Sequence, residues 1–176
     1  VLVNGLHANT DWFSVLNCRP QVVIHAADRV LIMKDEVPDP LAEYRKVNVE
    51  GTINLARQAA KAGVVRFIYI STIKVNGEHT PLGKPFFADD IPATEDHYGV
   101  SKLEAETGLH EIASETGMEV VTIRPPLVNG PRVKGNFANM IKLVGKGLPL
   151  PVGAIHNKRS LVALDNLVDL IITCID

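Results

Sequence analysis

Three short runs of β-branched and aromatic residues constrain the fold of this chain most strongly. They lie at residues 21–24, 65–70 and 119–123, and none of them alternates polar with apolar residues. Continuous apolar runs of this length are typical of strands that are buried on both faces, which is the environment inside a parallel sheet. The chain is therefore expected to form a parallel sheet with helices on both sides.

Helices are predicted between these strands, as parallel connections require. The first begins with Asp39 as a capping residue and Pro40 in its first turn, and it ends at Gly63. The second covers residues 97–116 and ends before Gly117. Strands and helices that alternate in this way predict a doubly wound α/β fold.

Polar and small residues follow each predicted strand directly. The segments are His25-Ala26-Ala27, Ser71-Thr72 and Arg124-Pro125-Pro126. In open α/β sheets, ligands bind at the carboxyl ends of the strands, so this edge is the expected binding site. The pair Asp28 and Arg29 comes next along the chain and is interpreted as an exposed loop pair.

Composition excludes several classes of function. Of the 176 residues, 18 are Lys or Arg and 20 are Asp or Glu, and the basic residues are scattered, so nucleic-acid binding is not expected. No apolar run approaches the roughly 18 residues that a membrane-spanning helix needs. The two cysteines are far apart, which indicates a reduced cytoplasmic protein. The histidines show no ligand spacing, and no metal site is predicted.

Both ends of the chain suggest that it was cut from a longer protein. It begins with Val1 rather than Met, and residues 1–3 are interpreted as the end of a strand. A helix predicted from Asp165 reaches the last residue without a stop signal. The glycine pair Gly145 and Gly147 follows a predicted helix and is interpreted as a helix stop, not as a phosphate-binding loop.

Tyr98 and Lys102 are the residues most suggestive of catalysis. They are four positions apart on a predicted helix, so they lie on the same face about one turn apart. A fixed ammonium near a phenol favours the phenolate form, which would lower the pKa of Tyr98 and make it a proton donor and acceptor near neutral pH. The pair therefore predicts acid–base chemistry.

Several further motifs occur in the order seen in one family. They are His25-Ala26-Ala27, Asn48-Val-Glu-Gly-Thr52, Ser71-Thr-Ile-Lys-Val-Asn-Gly77, the Tyr98/Lys102 pair, Arg124-Pro-Pro-Leu-Val-Asn-Gly-Pro131 and Arg159 shortly before Asp165. Together they resemble the extended short-chain dehydrogenases, the NAD-dependent epimerase/dehydratase family, over almost the whole chain. The resemblance is closest to UDP-glucose 4-epimerase-like members.

The resemblance implies a Rossmann-like sheet in residues 1–124 that lacks the first βαβ nucleotide-binding half, since no GxxGxxG turn occurs in the chain. It implies that residues 125–176 are part of a small substrate-binding region interleaved with that core. The implied cofactor is NAD, with NADP left open, and the implied substrate is a nucleotide sugar of the UDP-hexose class. The isolated chain is expected to bind NAD poorly.

The resemblance also assigns roles to individual residues. Tyr98 would take the proton of a sugar hydroxyl, Thr72 would polarise the oxygen, and Lys102 would hold the nicotinamide ribose. The implied cofactor-binding residues are His25, Ala26, Ala27, Asn48, Ser71, Tyr98, Lys102 and Pro125. The implied substrate-binding residues are Thr72, Lys74, Asn136 and Arg159, of which the arginine would grip the diphosphate.

Three departures from the family pattern leave the substrate open. Asn76 and Asn129 stand where many relatives have tyrosine, and Leu127 stands where epimerases often have asparagine. A reductase of UDP-4-keto-6-deoxy-hexosamines would use the same residues. A steroid or flavonoid-like alcohol dehydrogenase, a non-catalytic dinucleotide sensor and an inactive fragment are further alternatives.

The resemblance also implies a homodimer. Extended short-chain dehydrogenases commonly pair through the two helices predicted here, at 40–62 and 97–116. Such a dimer would place Val100 and Leu103 near the interface.

Overall fold

The computed structural model describes residues 5–30, 38–81, 83–131, 136–147 and 158–176. The chain divides into two compact units, Val1–Pro125 with Cys174–Asp176, and Pro126–Thr173. The strand end expected at residues 1–3 lies outside the described residues. The assignment of residues 1–124 to catalysis and of 125–176 to substrate binding stays a prediction.

The predicted strands and helices occur in the predicted order, with further short elements between them. The first unit contains α1 (Phe13–Leu16), β1 (Val22–His25), α2 (Pro40–Tyr44), a π-helix (Arg45–Gly51), α3 (Thr52–Lys61), β2 (Arg66–Ile70), a 3-10 helix (Ile73–Val75), α4 (His97–Thr116) and β3 (Glu119–Ile123). The second unit contains β4 (Leu127–Asn129), α5 (Asn136–Gly145), β5 (Leu161–Ala163) and α6 (Leu164–Thr173).

A three-stranded parallel sheet in the order β1-β2-β3 forms the centre of the first unit. Its register pairs Val23 with Phe67 and Phe67 with Val120. Successive side chains of a strand point to opposite faces, and Phe67, Ile68 and Tyr69 are all at most 1% exposed. The predicted strands are confirmed, and burial on both faces explains why β2 has no polar alternation.

The core of the first unit lies between α3, α4 and one face of the sheet. Apolar positions of α4 recur every three or four residues and so form one stripe toward the sheet. Complete burial of a leucine or isoleucine side chain stabilises the fold by about 1.5–3 kcal/mol. The principal buried side chains are Leu55, Ala56, Ala59, Phe67, Tyr69, Ala105, Leu109, Ile112 and Met118.

The ends of α4 match the predicted signals. The Asp96 carboxylate accepts a hydrogen bond from the Gly99 backbone N–H at 2.6 Å, which caps the first turn. Gly117 follows the last turn with a φ of 73°, a left-handed conformation that glycine adopts without strain. The helix predicted at 97–116 is thereby confirmed.

The first predicted helix differs from the expectation of one regular helix. Asp39 caps α2 and Pro40 occupies its first turn, as predicted. Between α2 and α3, however, Arg45–Gly51 form a π-helix. The hydrogen bonds of a π-helix run from residue i to i+5, so each turn contains more residues than an α-helical turn. The apolar periodicity of the sequence did not reveal this change.

In the second unit, β4 and β5 form a two-stranded parallel sheet in which Leu127 pairs with Leu161. Gly145 is the last residue of α5, and Gly147, two residues later, has a φ of 67°, so the interpretation of this pair as a helix stop is confirmed. Within the ranges that the structure describes, no helix is both long and apolar enough to cross a membrane.

Candidate active site

Tyr98 and Lys102 converge on one carboxylate at the carboxyl edge of the sheet. Asp28, three residues after the end of β1, accepts a hydrogen bond from the Tyr98 hydroxyl at 2.8 Å. The same oxygen, Oδ2, lies 3.2 Å from the Lys102 ammonium nitrogen. The i, i+4 spacing on α4 therefore does bring the tyrosine and the lysine to one point.

Lys102 is buried directly beneath this point. Its side chain is 1% exposed, and its ammonium donates a hydrogen bond to the carbonyl of Ile70, the last residue of β2, at 2.7 Å. The ammonium also lies 4.3 Å from the centre of the Tyr69 ring, a cation–π distance. A lysine is almost never buried this completely without such partners, because an unpaired buried ammonium is costly.

The interpretation of Asp28 and Arg29 as an exposed loop pair is wrong. The Asp28 side chain is 15% exposed and engages both Tyr98 and Lys102. The Arg29 guanidinium lies 5.5 Å from the centre of the Tyr44 ring. The signal that could have revealed Asp28 is its place three residues after a strand end, because ligands and catalytic groups gather at that edge of the sheet.

The expectation that Lys102 lowers the pKa of Tyr98 is also wrong. Burial raises the pKa of Tyr98, and the charge of Asp28 and its hydrogen bond raise it further. Burial lowers the pKa of Lys102, although Asp28 opposes that shift. The Asp28 carboxylate lies 2.8 Å from the phenol and 3.2 Å from the ammonium, so its negative charge opposes the influence of the cation.

Asn48 joins the loop after β1 to α4. It is fully buried in the π-helix, where its side-chain oxygen accepts the Arg29 backbone N–H at 2.7 Å. Its amide nitrogen donates to the Arg29 carbonyl at 3.2 Å and to the Ser101 hydroxyl at 3.0 Å. Ser101 in turn donates to the Tyr98 carbonyl at 2.8 Å. Asn48 thus fixes the backbone on both sides of the Asp28–Tyr98 contact.

His25 is a buried neighbour of the site. It is 4% exposed, its Nε2 lies 2.9 Å from the Thr52 hydroxyl, and its ring stacks on Tyr69 at 5.7 Å. Burial and the nearby Lys102 charge lower its pKa to about 4, so His25 is neutral at neutral pH. Ala26 and Ala27, in contrast, are exposed.

The segment directly after β2 carries two hydroxyl groups, those of Ser71 and Thr72. The Ser71 backbone N–H donates to the Ile123 carbonyl at 2.7 Å, which fixes this segment to β3. Ser71 is 4% exposed, and among the described residues its hydroxyl has no hydrogen-bond partner. Thr72 begins the 3-10 helix, where its hydroxyl accepts the Lys74 backbone N–H at 3.4 Å.

Lys74 is held by acidic residues. Its ammonium donates to Asp96 at 2.6 Å and also pairs with Glu78. These contacts tie the 3-10 helix to the residue that caps α4. Burial alone would lower the pKa of Lys74, but the hydrogen bonds to Asp96 and Glu78 outweigh it and raise the pKa above its ordinary value.

Arg124 lies in a buried network that sequence reasoning missed. Its guanidinium binds both carboxylate oxygens of Glu106, at distances from 2.6 to 3.2 Å, and Glu106 is 2% exposed. The Arg124 guanidinium also donates to the side-chain oxygen of Asn76 at 3.1 Å. Next to it, the Pro125 carbonyl accepts the Ile73 N–H at 3.1 Å. Glu106, at i+4 from Lys102, was the available signal.

The remaining predicted residues belong to the second unit. Asn136 is the first residue of α5, and its side chain lies outside the described part of the structure. Arg159 is exposed and stands two residues before β5.

Comparison with known proteins decides the family. The family model described as "NAD dependent epimerase/dehydratase family" matches residues 5–176. The chain belongs to this family. The resemblance inferred from the motifs is therefore confirmed, and so is the Rossmann-like parallel α/β fold, since solved structures of the same family share it.

Two relatives of this chain are epimerases by name. UDP-glucose 4-epimerase of Vibrio cholerae is 54% identical over 99% of this chain and 53% of its own length. N-acetyl-alpha-D-glucosaminyl-diphospho-ditrans,octacis-undecaprenol 4-epimerase of Escherichia coli O157:H7 is 34% identical over 85% of this chain and 44% of its own length.

Among solved structures, UDP-glucuronic acid 4-epimerase of Bacillus cereus in complex with NAD matches with a TM-score of 0.78 and 26% identity. That match covers 95% of this chain and 53% of the Bacillus chain. The chain thus spans about half the length of the relatives that it matches.

Proposed function

We propose that this protein is an NAD-dependent nucleotide-sugar epimerase that acts at C4 of a UDP-hexose. The observation that carries the proposal is the meeting of Tyr98 and Lys102 at the carboxyl edge of a parallel sheet. The family membership and the 54% identity with a UDP-glucose 4-epimerase support the reaction and the substrate class.

The residues at this edge fit a dinucleotide. An ammonium has three donors, and Lys102 uses two of them for Asp28 and Ile70, which leaves one for a ribose hydroxyl. The buried Ser71 hydroxyl, without a partner among the described residues, offers a further donor in the segment that follows Ile70. When bound, NAD would supply the hydride acceptor and return the hydride to the sugar.

In the proposed mechanism, Tyr98 Oη takes the proton of the sugar hydroxyl. The Thr72 hydroxyl polarises the same sugar oxygen, and Lys102 orients the ribose. His25, Ala26, Ala27, Asn48 and Pro125 complete the proposed cofactor-binding set, in which Asn48 acts by fixing the backbone. Lys74, Asn136 and Arg159 are the proposed contacts to the substrate, and the planar guanidinium of Arg159 suits its diphosphate.

A 4-keto-sugar reductase is the second candidate. It is favoured by the hydrogen bond that the Tyr98 hydroxyl donates to Asp28 at 2.8 Å, because a phenol that keeps its proton is suited to protonate a ketone oxygen. The proposal also includes a homodimer through the α2–α3 segment and α4, and a cytoplasmic location, which suits the two free cysteines.

The test uses the protein in its full natural length with NAD and either UDP-glucose or UDP-galactose. We expect NMR to show interconversion of the two sugars, and Tyr98→Phe to reduce the rate by about 100-fold or more. Tyr44→Phe is the matched control, because it removes the same atom from a neighbouring ring, and its rate should stay of the same order. A UDP-4-keto-6-deoxy-hexosamine reduced by NADH, without epimerisation, would establish the reductase instead.

A further inference from the structure

The aromatic ring of Tyr69 covers one side of the Lys102 ammonium. The Lys102 nitrogen lies 4.3 Å from the centre of the ring, and the negative face of an aromatic ring attracts a cation within about 6 Å. Tyr69 and the Lys102 side chain are each 1% exposed, so solvent screens this attraction very little. Two other groups contact the ammonium, the Asp28 carboxylate at 3.2 Å and the Ile70 carbonyl at 2.7 Å.

The middle strand of the sheet supplies the ring and the carbonyl. Tyr69 and Ile70 are the last two residues of β2, which is paired with β1 on one side and with β3 on the other. The His25 ring stacks on the Tyr69 ring at 5.7 Å, with an angle of 28° between the two planes. His25 in turn lies 2.9 Å from the Thr52 hydroxyl through its Nε2. The Tyr69 ring is therefore fixed from behind, and it can fix the ammonium in front of it.

The ring stabilises the ammonium without occupying a hydrogen-bond donor. An ammonium has three N–H groups, and Asp28 and Ile70 accept from two of them. The attraction of an aromatic face acts on the whole charge, so the third N–H stays available for a ribose hydroxyl. Burial lowers the pKa of Lys102, and a ring that favours the charged form opposes that effect.

We propose that Tyr69 is a positioning residue, whose ring face keeps the Lys102 ammonium charged and fixed at the carboxyl edge of the sheet. Tyr69 acts through Lys102. The inference deepens the proposed epimerase function and rests on it, because the fixed charge serves catalysis only if Lys102 orients the nicotinamide ribose.

The alternative is that Tyr69 only fills space in the core. Phe67 does so two residues earlier, on the same face of β2. The Tyr69 hydroxyl gives no reason for a tyrosine, since it is buried and has no hydrogen-bond partner among the described residues. An experiment must therefore change the charge distribution of the ring and leave its volume nearly the same.

The titratable groups around Lys102 come from three parts of the first unit. Asp28 and Glu106 carry the charges that raise the pKa of Lys102. Fluorine atoms on the ring at position 69 would leave the other groups of this set in place. The set consists of His25 of β1, Asp28 after β1, Tyr69 of β2, and Tyr98 and Glu106 of α4.

The deciding experiment weakens the negative face of the ring in steps. In full-length protein, Tyr69→Phe is compared with variants that carry phenylalanine with one, two or three ring fluorines at the same position. NMR of protein labelled with ¹³C and ¹⁵N in its lysines follows the titration of Lys102, and Lys102→Met identifies the resonance. We expect the pKa of Lys102 to fall stepwise, by about one pH unit over the series, because each fluorine makes the ring stabilise the charged form less.

The same series should shift the pH dependence of conversion. The pH profile of kcat reports groups in the enzyme–substrate complex, and the proposal requires the charged form of Lys102 there. The alkaline limb of this profile should therefore move to lower pH in the same order and by about the same amount. A ring that only fills space would leave the limb in place.

Phe67 offers a matched control. It is fully buried, its ring meets His25 edge-on at 6.0 Å, and among the described residues no cation lies over it. The same fluorinated residues at position 67 should change neither readout. A constant pKa of Lys102 along the Tyr69 series would overturn the proposal. An equal fall along the Phe67 series would also overturn it, as would an alkaline limb that stays in place while the pKa falls.

The two readouts distinguish failure of this inference from failure of the proposed function. Conversion by the wild type together with a constant Lys102 titration would refute only the role of Tyr69. Absence of conversion of any UDP-hexose by the wild type would refute the proposed function and the catalytic role of Tyr69 with it, whatever the titration shows.

Discussion

Replacing Asn48 by alanine should destabilise the first unit strongly, because this one side chain makes three hydrogen bonds in a fully buried position. Each bond contributes about 0.5–1.5 kcal/mol net, and the Arg29 N–H and carbonyl, now without their side-chain partner, add to the loss. The sum for Asn48→Ala is about 3 kcal/mol. For a protein of this size, that corresponds to a decrease of roughly 6–12 °C in Tm.

Urea unfolding followed by circular dichroism measures this difference, with an unchanged m-value as the check that unfolding stays two-state. Glu50→Ala is the matched control, since Glu50 is an exposed residue of the same π-helix and should change the free energy of unfolding by less than about 0.5 kcal/mol. A loss below about 1 kcal/mol for Asn48→Ala would refute the view that its three bonds hold the Asp28 loop to α4.

Three further predictions concern stability and can be measured on the same protein. Arg124→Met should cost about 3–5 kcal/mol in urea unfolding, because it leaves the buried carboxylate of Glu106 without its cation, and a loss under 1 kcal/mol would contradict this. The pKa of His25 is about 4 in the folded state and ordinarily near 6.5, so the unfolded chain binds more protons in this range. Stability should therefore fall by about 3 kcal/mol as the pH decreases from 6.5 to 4, and His25→Gln should flatten that dependence in pH-resolved thermal melts. Gly51→Ala should lower Tm, since an added Cβ would lie 2.7 Å from Leu6 Cγ and 3.0 Å from the Leu6 backbone. An unchanged Tm would contradict this and show that the chain around Leu6 moves aside without loss of stability.

Features that depend on local signals could be predicted from the sequence. The strand β2 follows from its unbroken apolar run, and α4 follows from the Asp96 cap, its apolar stripe and Gly117. The i, i+4 spacing of Tyr98 and Lys102 also placed both on one helical face, and the structure brings them to one carboxylate.

Contacts between distant parts of the chain could not be predicted in this way. Asp28 and Tyr98 are 70 residues apart, and only the packing of the loop after β1 against α4 brings them together. Burial first and the Asp28 contact second raise the pKa of Tyr98, so the sequence argument from Lys102 alone gave the wrong direction. The ion pair of Arg124 with Glu106 likewise joins a strand end to the middle of a helix.

Because Arg45–Gly51 form a π-helix, the geometry of the site depends on how many residues this segment contains as well as on their identity. Removing one residue there would allow α2 and α3 to join as a regular α-helix, in which each residue turns by about 100°. Depending on which residue is removed, Asn48 would rotate away from Arg29 and Ser101, or Thr52 would rotate away from His25. These hydrogen bonds would be lost although all of the side chains that make them are still present. Among homologous sequences, a single-residue deletion in this stretch should therefore be tolerated less than most substitutions.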